Sequence, residues 1–287
     1  MKKQYQFGHT IIEIHLPEEM MIPANMGKFQ VQAEQVDKVY YLEFAENLVQ
    51  FVRNFQEKNS DIKSIMRKNM QILVAKDKEC RLVRFESALS PYAVCVEEGP
   101  DLTRVWVNRE VEQMMQYDTV FSSVLGLEKV VLRKEQLILH SAYMCRDGKA
   151  VLFSAPSETG KSTQANLWEK YRGTRTINGD RSLLVKEADG WYAHGWAICG
   201  SSEICHNEAY PIQTIVMLHQ AKENEIQRLG VLDAVKKLMP QITINMWNSE
   251  FQMQALDLIQ DIVMNVPVYE LGCNISEDAV KCLEQVL

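Results

Sequence analysis

The chain has 287 residues, of which 46% are hydrophobic and 24% charged, and its formal net charge is −7. This composition is typical of a globular protein with a buried core, and the length suits one large or two small domains. The acidic balance argues against general nucleic-acid binding, which needs a surplus of basic residues. No continuous apolar stretch follows the first lysines and no run of 18 apolar residues occurs. We therefore expect no signal peptide, no transmembrane helix and no membrane insertion.

In residues 1–130, strand-like and helix-like stretches alternate, and no stretch carries recognisable chemistry. Alternating or continuous apolar and β-branched residues predict strands over residues 10–16, 71–75, 81–85 and 104–108. Apolar residues that recur every three or four positions predict helices over residues 42–55 and 111–125. We interpret residues 1–130 as an N-terminal α/β region of unknown role.

The remaining residues, 131–287, are predicted to form a second domain. Its predicted strands span residues 137–145, 149–154, 175–177, 182–186, 191–194, 211–219 and 267–271. Its predicted helices span residues 161–171, 231–239 and 252–263, and a last helix follows Ser276. The Asp147-Gly148 pair separates the first two strands and predicts a tight hairpin, because a type I′ turn needs positive φ at both central residues.

The seven cysteines are an odd number and include no C-x-x-C pair. This usage argues against a disulfide framework and favours a cytoplasmic location. Cys199, Cys205 and His206 are close in the sequence, but their spacing matches none of the common zinc patterns. We interpret these thiols as small buried apolar side chains.

The sequence SAPSETGKST, residues 154–163, ends like a phosphate-binding loop (Walker A) between an apolar strand and a helix. In such a loop, backbone N–H groups and the helix N-terminus face phosphate oxygens, a lysine reaches the terminal phosphates, and a hydroxyl holds Mg²⁺. The predicted nucleotide-binding residues are Ser157, Glu158, Thr159, Gly160, Lys161, Ser162 and Thr163. The alternative is that the lysine and serine are surface residues at an ordinary helix start.

Two residues depart from the usual form of the loop. Ala155 stands where a glycine is expected, and it costs little only if its φ is negative. Glu158 brings a negative charge near the phosphates, which is tolerable if the side chain points to solvent.

Beyond the loop, the run LHSAYMCRDGKAVLFSAPSETGKSTQANLW…INGDRSLL resembles the HPr kinase/phosphorylase-like family, which shares its core with phosphoenolpyruvate carboxykinase. The stretch over residues 194–218 and the ending CNISEDAV are similar to a subgroup associated with ribosomal-peptide maturation, including kinases of lasso-peptide precursors. The resemblance covers about residues 130–287. It implies a mixed α/β fold, with a P-loop core of this type on a mixed sheet and an N-terminal α/β extension.

The resemblance also implies roles for individual residues. Lys161 would bind the phosphates of ATP, Ser162 and Asp180 would hold Mg²⁺, and Asp180 with His140 would act on the acceptor hydroxyl. The family has two consecutive aspartates where this chain has Gly179-Asp180, so one carboxylate is missing. Without the resemblance, Asn178-Gly179 would be a plain hairpin turn, Asp180 a solvated turn residue and His140 a packed strand residue.

We therefore predict an ATP- and Mg²⁺-dependent kinase that phosphorylates a serine or threonine of a peptide or small protein. A non-catalytic nucleotide-binding partner protein and a kinase of a small molecule such as free serine remain alternatives. The polar residues Gly200, Ser201, Ser202 and Asn207 either bind acceptor or phosphate or form a plain loop. The sequence is also compatible with a homo-oligomer.

Overall fold

The computed structural model describes residues 1–67, 69–76, 78–84 and 91–287. The chain divides into two compact units, the first made of Met1–Gln6 and Thr10–Val130, the second of Phe7–His9 and Val131–Leu287. Among the described residues, no helix is long and apolar enough to cross a membrane.

Nine strands form the mixed sheet of the first unit, within the part of the chain that the structure describes. They are β1 Lys2–Phe7, β2 Thr10–His15, β3 Gln30–Val31, β4 Lys38–Phe44, β5 Lys63–Arg67, β6 Met70–Ala75, β7 Lys78–Val83, β8 Ala93–Gly99 and β9 Leu102–Val107. Their order is β3-β1-β2-β4-β9-β8-β7-β6-β5, with parallel pairing between β2 and β4 and between β4 and β9. The helices are α1 Val49–Lys58, α2 Asp118–Leu125 and the 3₁₀ segments Ala24–Phe29 and Arg109–Gln116, and α3 Leu127–Leu132 begins in this unit and ends in the second.

Both helices predicted in the first 130 residues differ from the structure. Only the first three residues of the predicted helix 42–55 belong to a strand, β4, whose β-branched and aromatic residues KVYYLEF pair with strands on both sides. The predicted helix is helical only from Val49, where α1 begins. The predicted helix 111–125 is interrupted at Tyr117, which is extended between a 3₁₀ segment and α2. The predicted strand 81–85 lies mostly within β7, and Phe85 lies outside the described residues.

Eight strands form the sheet of the second unit in the described chain. They are β10 Gln136–Arg146, β11 Lys149–Ser154, β12 Arg175–Asn178, β13 Arg181–Glu187, β14 Gly190–His194, β15 Ala209–Gln220, β16 Glu225–Arg228 and β17 Val268–Cys273. The helices are α4 Lys161–Arg172, α5 Val231–Leu238, α6 Ser249–Asn265, α7 Glu277–Glu284 and the 3₁₀ segments Gly200–Ser202 and Met239–Gln241. The sheet is mixed, because β11 and β17 run parallel to β15 while β10 pairs antiparallel with β11, β12 and β13.

The predicted hairpin before the loop is confirmed. Ser141 to Arg146 of β10 pair in register with β11, and both turn residues have positive φ, +50° at Asp147 and +75° at Gly148. β11 therefore lies between an antiparallel neighbour, β10, and a parallel neighbour, β15.

The stretch between β12 and β13 is not a hairpin turn. Both strands pair antiparallel with β10 and run in the same direction along it, β13 opposite Gln136–His140 and β12 opposite Tyr143–Cys145. Gly179 and Asp180 are thus an irregularity in one interrupted strand. Hydrogen bonding along β10 continues there, since the N–H of Ser141 donates to the carbonyl of Asp180 at 3.0 Å.

Alternating residues of β11 contribute to two apolar clusters, because successive side chains of a strand point to opposite faces of the sheet. Val151 and Phe153 pack in the cluster that includes residues of α4 and α7. Ala150 and Leu152 pack in the cluster that includes residues of α5 and α6. Helices therefore cover both faces of β11 and fix the position of its carboxyl end. The prediction of a mixed α/β protein, with the second unit built on a mixed sheet, is confirmed.

Candidate active site

The loop after β11 turns into α4 through two left-handed residues. β11 ends at Ser154 and α4 begins at Lys161, and between them Glu158 (φ +64°) and Gly160 (φ +116°) are left-handed. Ala155 is fully buried and is not among the residues with positive φ, so its methyl group causes no backbone strain. The missing glycine therefore does not prevent the loop from forming. Glu158 is exposed, which keeps its charge in solvent.

The Lys161 side chain folds back into this loop. Its ammonium Nζ donates to the carbonyl oxygens of Ala155 at 3.0 Å and Pro156 at 3.2 Å. The residue is only 7% exposed. Burial lowers the pKa of the ammonium, and the nearby Asp180 carboxylate partly opposes that shift. Lys161 is thus not a freely solvated lysine at a helix start, as the alternative interpretation required.

A cleft of about 340 Å³ opens beside the loop. The predicted site residues that line it are His140, Ser157, Glu158, Gly160, Lys161, Ser162, Thr163 and Asp180. Thr159 belongs to the loop but does not line the cleft. The remaining lining residues are Gly179 and Ser201. The fold therefore brings the loop, the strand histidine and the aspartate to one place.

Asn178 fixes the backbone that carries Asp180, a role that the sequence interpretation missed. Its side chain is fully buried, and its Oδ1 accepts from the N–H groups of Asp180 and Arg181, each at 2.9 Å. Its Nδ2 donates to the carbonyls of Trp196 at 2.7 Å and Ile198 at 3.1 Å. Asparagine side chains commonly accept a hydrogen bond from the backbone N–H two residues later in the chain. The sequence N-G-D-R could therefore have predicted that Asn178 holds the backbone of Asp180.

Three cationic or hydrogen-bonding groups surround the Asp180 carboxylate. Oδ1 lies 3.4 Å from Nε2 of His140, and Oδ2 lies 3.3 Å from Nε of Arg181. Burial by itself would raise the pKa of the carboxyl, but the His140 hydrogen bond and the charges of Arg181 and Lys161 outweigh it, so the pKa is lowered. Asp180 is therefore an anion at neutral pH and can serve as a metal ligand or proton acceptor.

The carboxyl of Asp180 should titrate below its ordinary value of 3.8 when followed by carbon NMR. A lowered pKa means that the group stabilises the fold above pH 3.8 and that this contribution is lost as the pH falls through the folded value. His140→Gln should raise the pKa. His219→Gln should not, since His219 lies 3.2 Å from Glu270 instead. Equal titration in all three proteins would contradict this assignment.

Ser162, at the start of α4, contacts the backbone between β12 and β13. Its Oγ donates to the carbonyl of Gly179 at 3.3 Å, and both it and Asp180 line the cleft. Within the described residues, no group of three or more histidine, cysteine or acidic side chains could hold a metal ion alone. One hydroxyl and one carboxylate suit Mg²⁺, which usually takes one or two carboxylates together with phosphate oxygens and water.

Ser202 fills the position that a second carboxylate would need. A Cβ added to Gly179 would lie 2.2 Å from Oγ and 2.4 Å from Cβ of Ser202. That hydroxyl donates to the carbonyl of Cys199 at 2.6 Å and accepts from the N–H of Ile204 at 3.3 Å. The site is therefore packed for glycine at this position and has one carboxylate where the resemblance implies two.

Gly179→Ala should destabilise the second unit by about 1–3 kcal/mol, because the new methyl group overlaps a side chain that is held by two hydrogen bonds. Adding Ser202→Gly should recover most of this loss, because the overlapping atoms are then absent. Urea unfolding of the two single variants and the double variant gives the coupling energy directly. If the losses of unfolding free energy in the two single variants simply add in the double variant, the side chains at the two positions do not contact each other.

A second recess, of about 310 Å³, adjoins the cleft and shares Ser162, Gly179, Asp180 and Ser201 with it. Its remaining lining residues are Ala165, Asn166, Thr176, Cys199, Ser202 and Ile204. Thr176 is only 5% exposed, and its buried Oγ1 has no hydrogen-bond partner within the described structure. Of the polar residues left open by the sequence, Ser201 and Ser202 thus line a pocket. Gly200 contacts Asp180 instead, since a Cβ there would lie 3.1 Å from its Cγ.

Comparison with known proteins finds a family model and a set of solved structures that are similar to this chain. The family model described as "ScmC: SynChlorMet cassette protein ScmC" matches residues 106–287, which is more than half of the chain and includes the whole cleft. A solved structure, the HPr(Ser) kinase/phosphatase from Coxiella burnetii, is similar at 11% sequence identity over 52% of this chain and 90% of that chain, with a TM-score of 0.31. No curated protein sequence matches.

Proposed function

We propose that this chain, which belongs to the SynChlorMet cassette protein ScmC family, transfers the γ-phosphoryl group of ATP to a serine or threonine hydroxyl of a peptide or small protein. The observation that carries the proposal is the cleft in which Lys161, Asp180 and His140 meet beside a left-handed loop. Phosphoryl transfer needs mainly positioning and charge neutralisation, and these groups offer both. The resemblance of residues 194–218 to kinases of ribosomal-peptide precursors supports a peptide acceptor.

The loop and the start of α4 bind the phosphates. Backbone N–H groups between Ser157 and Thr163 and the N-terminal end of α4 favour anions, and the Lys161 ammonium exchanges its two carbonyl partners for phosphate oxygens. Bound Mg²⁺ neutralises charge on the phosphates during transfer. Ser162 and Asp180 are the residues that would hold it.

The acceptor enters from the adjoining recess. Its hydroxyl oxygen forms the new P–O bond, the bond to the leaving ADP breaks, and the hydroxyl proton passes to the Asp180 carboxylate. His140, 3.4 Å from that carboxylate, orients it. The unpartnered hydroxyl of Thr176 offers the acceptor a hydrogen bond inside the recess. Apart from Asp180, the recess has no charged side chain among its lining residues, which suits an uncharged hydroxyl side chain.

A second candidate function is nucleotide binding without transfer, in a partner protein of another enzyme. The observation that favours it is the packing of Ser202 against Gly179, which leaves one carboxylate in the cleft. On this view, Asp180 and Lys161 hold a nucleotide that stabilises one conformation for recognition by another protein.

Mass spectrometry of peptides encoded beside the gene, incubated with the protein and ATP·Mg²⁺, tests the proposal. We expect the mass of one phosphoryl group on a serine or threonine. Lys161→Ala should slow its appearance about a hundredfold or more, because a donor to the transferred group is lost. Lys149→Ala, an exposed lysine at the start of β11, is the matched control.

Two other outcomes of this experiment have definite meanings. Phosphorylation of free serine but of no peptide would assign the chain to small-molecule kinases. Saturable ATP binding without any product over a broad panel of acceptors would contradict transfer and favour the partner function.

A further inference from the structure

The first unit contains a pocket that the proposed kinase chemistry does not use. Its volume is about 460 Å³, within the range of small-ligand sites. It lies between α1 and the strands β7, β8 and β9. The residues that matter are Phe51, Lys58, Lys78, Glu97, Arg104 and Trp106.

An aromatic pair forms one wall of this pocket. The rings of Phe51 and Trp106 stack with centroids 3.9 Å apart and an interplanar angle of 8°. Both residues are partly exposed, so part of the pair remains open to solvent. Stacked, partly exposed rings present a flat apolar surface on which another ring can pack.

In the part of the chain that the structure describes, two of the cations that line the pocket have no ion pair. Both carboxylates are already bound: Glu97 accepts from Lys129 at 2.8 Å, and Glu98 accepts from Arg104 at 2.9 Å. By contrast, Lys58 and Lys78 form no ion pair within the described residues. In a chain with a net charge of −7, this is a local surplus of positive charge beside an aromatic surface.

The positive charge in this pocket is better suited to bind one carboxylate than a phosphate group. The guanidinium of Arg104 has the shape to bind a phosphate with two hydrogen bonds, but it already forms an ion pair with Glu98, and its Nη1 lies 3.7 Å from Oε1 of Glu43. In addition, α1 ends at Lys58, so the pocket faces the negative end of the helix dipole. A carboxylate carries one negative charge and is therefore repelled less by this helix end than a doubly charged phosphate would be.

From these observations we infer that the pocket binds a ligand with an aromatic ring next to a carboxylate. Such a group occurs in a free aromatic amino-acid derivative and in a peptide that ends with an aromatic residue. The ring packs on the Phe51–Trp106 wall, and the carboxylate lies between Lys58 and Lys78. This function is independent of nucleotide binding at the second unit.

Calorimetric titration and NMR of the Trp106 indole N–H test the inference on the full chain. The probes are N-acetyl-phenylalanine and its amide, the peptide Gly-Ser-Gly-Ser-Phe with a free or amidated end, and AMP. We expect the two acids to bind and to shift the Trp106 resonance, and the amides to bind about tenfold more weakly because a charge-assisted hydrogen bond is lost. Tighter binding of the peptide acid than of the amino acid identifies a peptide terminus as the source, and equal binding identifies the free compound.

Replacement of the two lysines tests the binding of the carboxylate without disturbing the apolar core. Lys58→Gln with Lys78→Gln should weaken binding of the acid about tenfold, to the level of the amide. Lys3→Gln with Lys63→Gln removes the same charge elsewhere in the unit and should leave binding within twofold. Equal binding of acid and amide, no shift of the Trp106 resonance at millimolar probe, or preferential binding of AMP would each overturn the inference.

Discussion

An Asp180→Asn variant is expected to transfer phosphate about a thousandfold more slowly than the wild type, in the middle of the range for loss of a general base. The substitution keeps the shape of the side chain and its place between His140 and Arg181, but removes the negative charge. Neither a proton nor Mg²⁺ can then be held by this group. Rates come from phosphopeptide formation under single-turnover conditions, and nucleotide affinity from calorimetry without metal.

ATP binding in the absence of metal should remain within a few fold, because the loop and Lys161 are intact. Asp189→Asn is the control, since Asp189 is an exposed turn residue between β13 and β14 of the same unit. Transfer at the wild-type rate by the Asp180 variant would show that another group acts on the acceptor. Loss of the fold, seen by circular dichroism, is distinguished from loss of chemistry by the nucleotide titration.

Arg81→Met should destabilise the first unit by about 3–5 kcal/mol, the usual cost of leaving buried charges without their partner. The Arg81 side chain is 4% exposed, and its guanidinium lies 3.0 Å from Glu79 and 2.8 Å from Glu128. Burial alone would lower the pKa of the guanidinium, but these two carboxylates outweigh it and keep the pKa above its ordinary value. The variant leaves both carboxylates buried with less compensation, and urea unfolding measures the loss.

Two further variants show whether a loss of stability in Arg81→Met comes from unpaired buried charge. Arg53→Met removes an exposed arginine on α1 and should cost less than about 0.5 kcal/mol. Replacement of Arg81, Glu79 and Glu128 together by apolar residues of similar size should recover much of the stability, because the cost comes from unpaired charge. A loss below about 1 kcal/mol for Arg81→Met would show that the network is not stabilising.

Local signals in the sequence predicted the part of the fold that holds the loop. Asp147-Gly148 specified a hairpin by backbone preference alone, and the run KAVLFS matched β11 residue for residue. The loop itself was predicted from residues that are consecutive in the chain, 154–163. For this reason Lys161, Ser162 and Gly160 were predicted together and line one cleft in the structure.

Features that depend on distant contacts were not predictable in this way. The end of β4, residues 42–44, was included in a predicted helix because its apolar spacing also fits a helical face, and only its pairing with β9 decides between the two. The Gly179-Asp180 irregularity has the composition of a turn, and only the shared partner β10 shows that the strand continues. The occupation of the space beside Gly179 by Ser202 joins positions that no local pattern connects.

The contact between Gly179 and Ser202 also constrains evolution. Because a side chain at position 179 would overlap both Oγ and Cβ of residue 202, position 179 cannot gain a side chain without strain unless residue 202 also changes. Among homologous sequences, an aspartate at position 179 should therefore coincide with glycine at position 202. Correlated substitution at this pair of positions would divide homologues into those with two acidic side chains in the cleft and those, like this chain, with one.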